Sequence, residues 1–368
     1  MKPFKYGCVV GGENFCPRPV LEKQLREFAE SGQNLVIQGA RRMGKTSLVK
    51  HAIGGMRGMR LVYIDLYCIR TLSEFCGRVM KGVAKASKEL SFLKKALQFA
   101  YRLRPVLGID PRDGSPTISV DSRAASEPDS LGDVMATLEK LAAEGKVCIV
   151  FDEFQDILRL DNTKGLLAEM RSTIQFQADV PYFFTGSVRN EMMSIFDDMD
   201  SPFYKSALTF SVDEIEPVVF TKFIGGRFKK GNRRISGLVT AKILEFADGV
   251  SGDVQELCET IWLATDTGAV IGDAEINAGL RLVFAREEKA FGPTLSRLTS
   301  IQAAVLKGLA RSADIKPFSG EFMSECGIRN VGTVTRALSR LSSDEIIYEH
   351  AGSWHFTNPF FREWLKAT

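Results

Sequence analysis

Two hydrophobic rhythms divide this chain. Up to Phe210, short continuous apolar runs alternate with stretches of helical period, the pattern of strands buried on both faces and separated by helices. The runs Asn34–Gln38, Arg60–Leu66, Val147–Phe151, Pro181–Thr185 and Ala207–Phe210 predict five strands. Between them, Val20–Glu30 puts Leu21, Leu25 and Phe28 on one helical face. Thr46–Ile53, Leu72–Tyr101, Leu131–Glu144 and Leu166–Gln177 predict further helices. Met1–Arg18 is loop-like. Arg104–Ser130 breaks the rhythm with Pro105, Pro111, Pro116 and Pro128, and reads as an exposed insertion with one short strand at Thr117–Val120.

After Phe210 the pattern changes. From Asp213 to Phe291 helix follows helix, punctuated at Gly231, Gly249-Val250-Ser251-Gly252 and Gly268. Ile301–Ala310, Gly320–Cys326 and Val331–Ser342 then predict three helices. Glu345–Thr357 predicts a hairpin turning at Ala351-Gly352, and three helices with a hairpin are the order of a winged helix-turn-helix. The expected division is an α/β domain over 1–211, with its insertion at about 104–130, a helical lid over 212–295 and a winged helix over 296–368.

Composition adjusts this picture only slightly. The chain has 368 residues, 45% hydrophobic and 25% charged, as in ordinary globular proteins. Its net charge of +3 does not by itself imply nucleic-acid binding, and it leaves room for a local basic patch. Seven cysteines lack any C-x-x-C pair, and His51, His350 and His355 do not cluster with them. That argues against a disulfide framework or zinc site and for a reducing, cytoplasmic setting. No apolar stretch is long enough to span a membrane, so no membrane partner is expected.

The chemistry concentrates in Gly39-Ala40-Arg41-Arg42-Met43-Gly44-Lys45-Thr46, which fits the phosphate-loop pattern G-x-x-x-x-G-K-[ST] between a predicted strand and a predicted helix. Two glycines let successive backbone N–H groups turn toward an anion. The Lys45 ammonium reaches the outer phosphates, the Thr46 hydroxyl is placed for Mg²⁺, and the helix running through Ser47 contributes the positive end of its dipole. Residues Gly39 to Ser47 are the expected nucleotide-binding set. The third apolar run ends in Asp152-Glu153, where a carboxylate would face a Mg²⁺-bound phosphate. Asp152 is the expected metal residue beside Thr46, and Glu153 the general base for the attacking water. The next strand ends Thr185-Gly186-Ser187, whose hydroxyls, Ser187 in particular, are expected at the γ-phosphate or the water. Arg189 and Lys205 are candidates for a further cation there.

These residues resemble a known family. Phe15 with Arg18 before a helix, the Arg41-Arg42 pair inside the loop, Asp152-Glu153-Phe154-Gln155, Thr185-Gly186-Ser187, Ser201-Pro202-Phe203-Tyr204 and the C-terminal winged helix together look like the archaeal-type ATPases, grouped near the AAA+ and STAND NTPases. The resemblance spans nearly the whole chain. It implies an α/β P-loop fold with a five-stranded parallel sheet and helices on both faces, then a helical lid and a winged helix. It also implies ATP rather than GTP as the nucleotide. The chain departs from relatives in the lid: Gly249 to Asp253 contains no proline, and no arginine occurs between Asp253 and Gly268. The expectation is therefore a slow, switch-like, Mg²⁺-dependent ATPase rather than a processive ring motor, with nucleotide-dependent oligomerisation open.

In the winged helix, Arg329 precedes the third helix, and Arg336 and Arg340 share one of its faces. That face suits DNA phosphates, but nearby carboxylates dilute its charge and winged helices also dock proteins. Three readings stay open: an ATP-driven switch gating contact with DNA or a protein partner, a DNA-binding loader or mobile-element-associated protein, and a signalling or defence scaffold without DNA affinity.

Overall fold

The computed structural model describes residues 3–87, 105–109, 116–120, 127–187, 189–311, 316–350 and 352–367. The chain forms two compact units, Gly11–Asp213 and Met1–Val10 with Glu214–Thr368.

The first unit is built on five parallel strands: β1 (Leu35–Gln38), β2 (Arg60–Asp65), β5 (Val147–Asp152), β6 (Tyr182–Gly186) and β7 (Leu208–Ser211), in the order β2-β5-β6-β1-β7. Every residue of β5 and β6 is buried, so both faces of the central sheet are covered. The register sets Leu35 beside both Phe183 and Leu208, Asp65 beside Asp152, and Phe151 beside Phe184. All five strands therefore deliver their C-terminal ends to one edge. A further pair, β3 (Pro105–Ile109) and β4 (Pro116–Val120), forms an antiparallel ribbon within the expected insertion, and β4 is the strand anticipated at Thr117–Val120.

The expected helix beginning at Leu72 spans Leu72–Ala86, its start fixed by the Thr71 hydroxyl accepting from the Glu74 N–H. Its anticipated continuation to Tyr101 lies outside the described residues. Phe151, Phe154, Phe184, Phe196 and Phe203 pack ring to ring behind the sheet's edge. The Ser201–Tyr204 motif thus contributes a fully buried core aromatic, Phe203.

The second unit contains helices Pro217–Lys230, Gly237–Phe246, Ser251–Leu263 and Asp273–Ser296, with a short parallel pair, β8 (Arg234–Ile235) and β9 (Val270–Ile271). Phe4 packs on Phe228 at 5.1 Å and on Trp262 at 6.4 Å, which ties the N-terminal segment to this unit. Helices Ser300–Arg311, Gly320–Glu325 and Val331–Ser343 and the hairpin of β10 (Ile347–His350) and β11 (Ser353–Phe356) follow. Ala351 of the expected turn lies outside the described residues; Gly352 has φ +79°.

The last helix, Pro359–Ala367, packs Phe361 and Trp364 on Phe291. Its Arg362 donates to Asp248 Oδ1 at 2.6 Å and to the Glu245 carbonyl at 3.0 Å. Burial acts to raise the Asp248 pKa, but the hydrogen bond from His355 and the Arg362 charge outweigh it and hold the carboxylate below its usual value. Among the described residues, no helix is long and apolar enough to cross a membrane.

Candidate nucleotide site

The loop between β1 and the Lys45–Gly54 helix has the backbone its sequence demands. Gly44 caps the helix at φ +83°, in the left-handed region that favours glycine. Gly39 runs so close to the end of β7 that a Cβ there would lie 2.5 Å from the Val212 carbonyl oxygen. Arg42 also takes a left-handed conformation, with φ +64°. Arg41 and Arg42 are exposed, whereas Met43, Lys45 and Ser47 are buried.

Lys45 is 6% exposed, and its Nζ donates to the Gly39 carbonyl at 2.8 Å and the Ala40 carbonyl at 3.0 Å. Burial lowers its pKa to about 8; Glu153 and Asp152 pull it back upward and Arg41 pushes it down. The ammonium thus sits desolvated inside the loop, where an added anion would stabilise its charge.

Asp152 is the hub of the site. It ends β5, is 5% exposed, and accepts three side-chain hydrogen bonds. Thr46 Oγ1 donates to Oδ2 at 2.8 Å, Tyr63 Oη donates to the same oxygen at 2.5 Å, and Thr185 Oγ1 donates to Oδ1. Thr46 and Asp152, the two expected metal residues, are therefore brought together, and their hydroxyl and carboxylate oxygens are hard donors of the kind Mg²⁺ takes. Among the described residues, no group of three or more His, Cys, Asp or Glu is placed to hold another metal.

Glu153 lies one residue beyond the strand, where the chain turns with φ +52°. Its Oε2 accepts from Gln155 Nε2 at 2.6 Å and from Ser187 Oγ at 3.0 Å. Gln155 is 4% exposed, and its Oε1 has no hydrogen-bond partner among the described residues. Of the two hydroxyls at the end of β6, Thr185 is engaged with Asp152 and Ser187 with Glu153. Lys205 has φ +50° and its Nζ stands 5.1 Å from the Tyr204 ring centroid. The Arg189 side chain lies outside the described residues.

Tyr63 escaped the sequence reading, and Thr185 and Arg18 were named there without the contacts they make. Tyr63 lies on β2 one pair before the Ile64–Phe151 match, so it is a diagonal neighbour of Asp152 on the same sheet face. That relation becomes visible only once the register is known. Its hydroxyl pKa is raised by burial and by Asp152, and Lys50 Nζ stands 3.4 Å from its ring centroid. Thr185 falls one position past the Phe151–Phe184 pair, opposite Asp152. Arg18, quoted above only as part of a motif, is 6% exposed and donates to the Met43 carbonyl at 2.7 Å and the Asp213 carbonyl at 2.5 Å. It staples the phosphate loop to the chain leaving β7, and burial lowers its pKa to about 10.

In the winged helix, Asn330 caps the third helix through the Gly332 N–H, and Arg329, Arg336 and Arg340 are exposed. Arg340 pairs with Asp344 at 3.0 Å, and Arg336 Nε donates to the Gly332 carbonyl at 3.2 Å. The His350 side chain, expected near the wing tip, lies outside the described residues.

A sheet ordered β2-β5-β6-β1-β7, a glycine-lined loop after β1, an acidic pair at the end of β5 and a C-terminal winged helix give the chain the α/β P-loop fold with a winged helix that the sequence leads one to expect. Residues 289–367 match the family model described as "Probable winged helix domain". Among solved structures, the Walker-type ATPase of Pyrococcus abyssi has a similar fold, with a TM-score of 0.61 at 18% identity over 96% of this chain and 97% of that one. The ORC2 protein of Aeropyrum pernix, in its ADPNP–ADP complexes, is similar at a TM-score of 0.54 and 12% identity over 97% of this chain and 96% of that one. No curated protein matches the sequence. At these identities the likeness carries the fold, and the site rests on its own geometry.

Proposed function

We propose that this protein binds ATP with Mg²⁺ in the Gly39–Ser47 loop and hydrolyses it slowly, the nucleotide state gating what its winged helix contacts. One observation carries the reading: the Thr46 hydroxyl and the Asp152 carboxylate, from elements more than a hundred residues apart, meet at 2.8 Å beside the buried Lys45. The similar proteins support it, one being a Walker-type ATPase and the other a complex with ADP and an ATP analogue. Thr46 and Asp152 would hold Mg²⁺, which when bound neutralises phosphate charge. The loop N–H groups and Lys45 would bind the phosphates and stabilise the charge that develops in transfer. Glu153 would orient the attacking water and accept its proton, with Ser187 and Gln155 positioning the carboxylate. The division into an ATPase domain, a lid over 212–295 and a winged helix over 296–368 belongs to this reading, with duplex DNA or a protein as the partner of Arg329, Arg336 and Arg340. The exposed Arg340–Asp344 pair is worth at most about 1 kcal/mol and would not prevent a phosphate contact.

Nucleotide binding and turnover test the proposal together. The parent should bind Mg-ATP, Lys45→Ala should lose tight binding, and Glu153→Gln should bind while hydrolysis falls by at least about a hundredfold. A parent that binds no nucleotide at millimolar ATP would refute it, and a Glu153→Gln protein hydrolysing at the parent rate would remove the base. Size-exclusion with light scattering, with ATP or ADP and with or without duplex DNA, separates the partner alternatives.

A further inference from the structure

The chain's small net charge conceals a strong local imbalance. Between Glu216 and Glu245 lie seven cations, Lys222, Arg227, Lys229, Lys230, Arg233, Arg234 and Lys242, and no carboxylate. Since the whole chain carries +3, everything outside this segment sums to 3 − 7, a net charge of −4. The second unit sorts these cations by role. Arg227 and Arg233 are buried. Lys242 is ion-paired with Asp273 at 2.6 Å. Lys222, Lys229, Lys230 and Arg234 are exposed.

Three of the exposed four, Lys229, Lys230 and Arg234, sit on a braced knuckle where the Pro217–Lys230 helix ends and β8 begins, and Lys222 lies two turns back along that helix. Arg233 is the brace. Its guanidinium stacks 3.8 Å from the Trp262 ring centroid and donates to Thr265 Oγ1 at 3.0 Å and to the Thr265 carbonyl at 2.5 Å. Backbone bonds pin the turn from the other side: the Gly268 N–H donates to the Asn232 carbonyl at 2.8 Å and the Arg234 N–H to the Ala269 carbonyl at 3.0 Å. Lys222 and Lys229, seven residues apart, fall on one helical face about 10 Å from each other. The helix dipole accounts for cations in the last turn, such as Lys229 and Lys230. It does not account for Lys222, two turns earlier, or for Arg234, beyond the helix. In the facing segment 264–272, Asp266 is the single carboxylate.

We infer that this knuckle is a second contact surface, distinct from the winged helix, and that it takes the phosphate backbone of a nucleic acid. Protein interfaces are depleted in lysine and enriched in exposed aromatic residues. Here three of the four exposed cations are lysines, and the one tryptophan at the turn is covered by Arg233. A lysine-rich rigid tip without aromatic anchors matches sequence-independent phosphate binding better than an acidic protein.

The test uses the full chain and a fluorescein-labelled 20-base-pair duplex of arbitrary sequence, with binding followed by anisotropy from 50 to 200 mM KCl. One variant combines Lys222→Gln, Lys229→Gln, Lys230→Gln and Arg234→Gln. A charge-matched control combines Lys23→Gln, Lys81→Gln, Lys146→Gln and Lys164→Gln, all exposed in the other unit. Four phosphate contacts contribute about −3.6 to the slope of log K against log salt, or about 150-fold in affinity across that range. The knuckle variant should lose that part of the slope while keeping the parent's melting temperature and nucleotide affinity, and the control should keep the slope. Equal slopes in both variants would overturn the inference. So would a parent that does not bind duplex at 50 mM KCl, or one that binds poly-glutamate as tightly as duplex.

Discussion

The Lys45 ammonium should make nucleotide affinity depend on pH in a defined window. In the free protein its pKa is about 8, lowered from the ordinary lysine value chiefly by burial. A bound polyphosphate would favour the charged form and raise the value toward or beyond the ordinary one. The sign follows from linkage. Below about pH 8 both states hold the proton and affinity is flat; above it the complex holds a proton that the free protein lacks, so affinity falls by up to tenfold per pH unit. With a free pKa near 8, about a tenth of the free protein is protonated at pH 9, and Kd should be about tenfold weaker than at pH 7. Isothermal titration with ADP in EDTA isolates this effect, since the metal is absent and the ADP phosphates titrate lower. Buffers of different ionisation enthalpy should report uptake of about half a proton at pH 8. Lys45→Arg, whose guanidinium stays charged throughout, should remove the pH dependence even if its affinity is lower. A Kd unchanged from pH 7 to 9.5 with no proton uptake would show that Lys45 does not face the phosphates as a desolvated cation.

Other perturbations test the surrounding geometry. Gly39→Ala sets a Cβ 2.5 Å from the Val212 carbonyl oxygen, backbone against side chain with no flexible atom to yield. The loop must shift, and nucleotide affinity measured by fluorescence titration should fall at least about tenfold. Tyr63→Phe removes one donor from Asp152 while Thr46 and Thr185 remain. Urea unfolding followed by β-sheet circular dichroism should show a loss of about 1.5 kcal/mol, the low end for a hydrogen bond to a charged group. Asp248→Asn weakens the clasp to Arg362 and His355 in the second unit. Because the native Asp248 carboxylate lies below its usual value, its stabilisation is present above the unfolded pKa and lost as pH falls through the native one. Thermal scans should therefore show the variant melting below the parent at pH 7, with the gap narrowing as the pH falls below the unfolded aspartate value.

Much of the fold could be read in the sequence because each core strand is short, apolar and flanked by turn residues. The runs at Val147 and Pro181 needed no partner to be recognised, since a strand buried on both faces has no polar alternation to blur it. The phosphate loop was legible for a different reason: close approach at Gly39 and positive φ at Gly44 are demands on single residues, met by residue type alone. What could not be read was the layer around Asp152. Tyr63 and Thr185 reach it from neighbouring strands, and which residues face it depends on strand order and register, neither of which is encoded within one strand. Arg18 was visible as a residue and invisible as a staple, because its acceptors are backbone carbonyls of Met43 and Asp213 that have no signature in sequence.

The two acids at the end of β5 also divide their work in a way their adjacency conceals. Successive residues leaving a strand would ordinarily point to opposite faces, yet Glu153 turns into the left-handed region and its carboxylate is held by Gln155 and Ser187 rather than by the partners of Asp152. Among the described residues, the side chains that donate to Asp152 are the hydroxyls of Thr46, Tyr63 and Thr185, each of which can turn its hydrogen away and offer a lone pair instead. Glu153 takes, beside the Ser187 hydroxyl, an amide donor, which can offer an acceptor instead only by turning the buried carboxamide of Gln155 through half a rotation. The first set can adapt to a cation with no heavy-atom movement, while the second fixes one carboxylate oxygen in place. Within a single dipeptide, the hydrogen-bond partners thus support the proposed division of Asp152 as a metal residue and Glu153 as an oriented base.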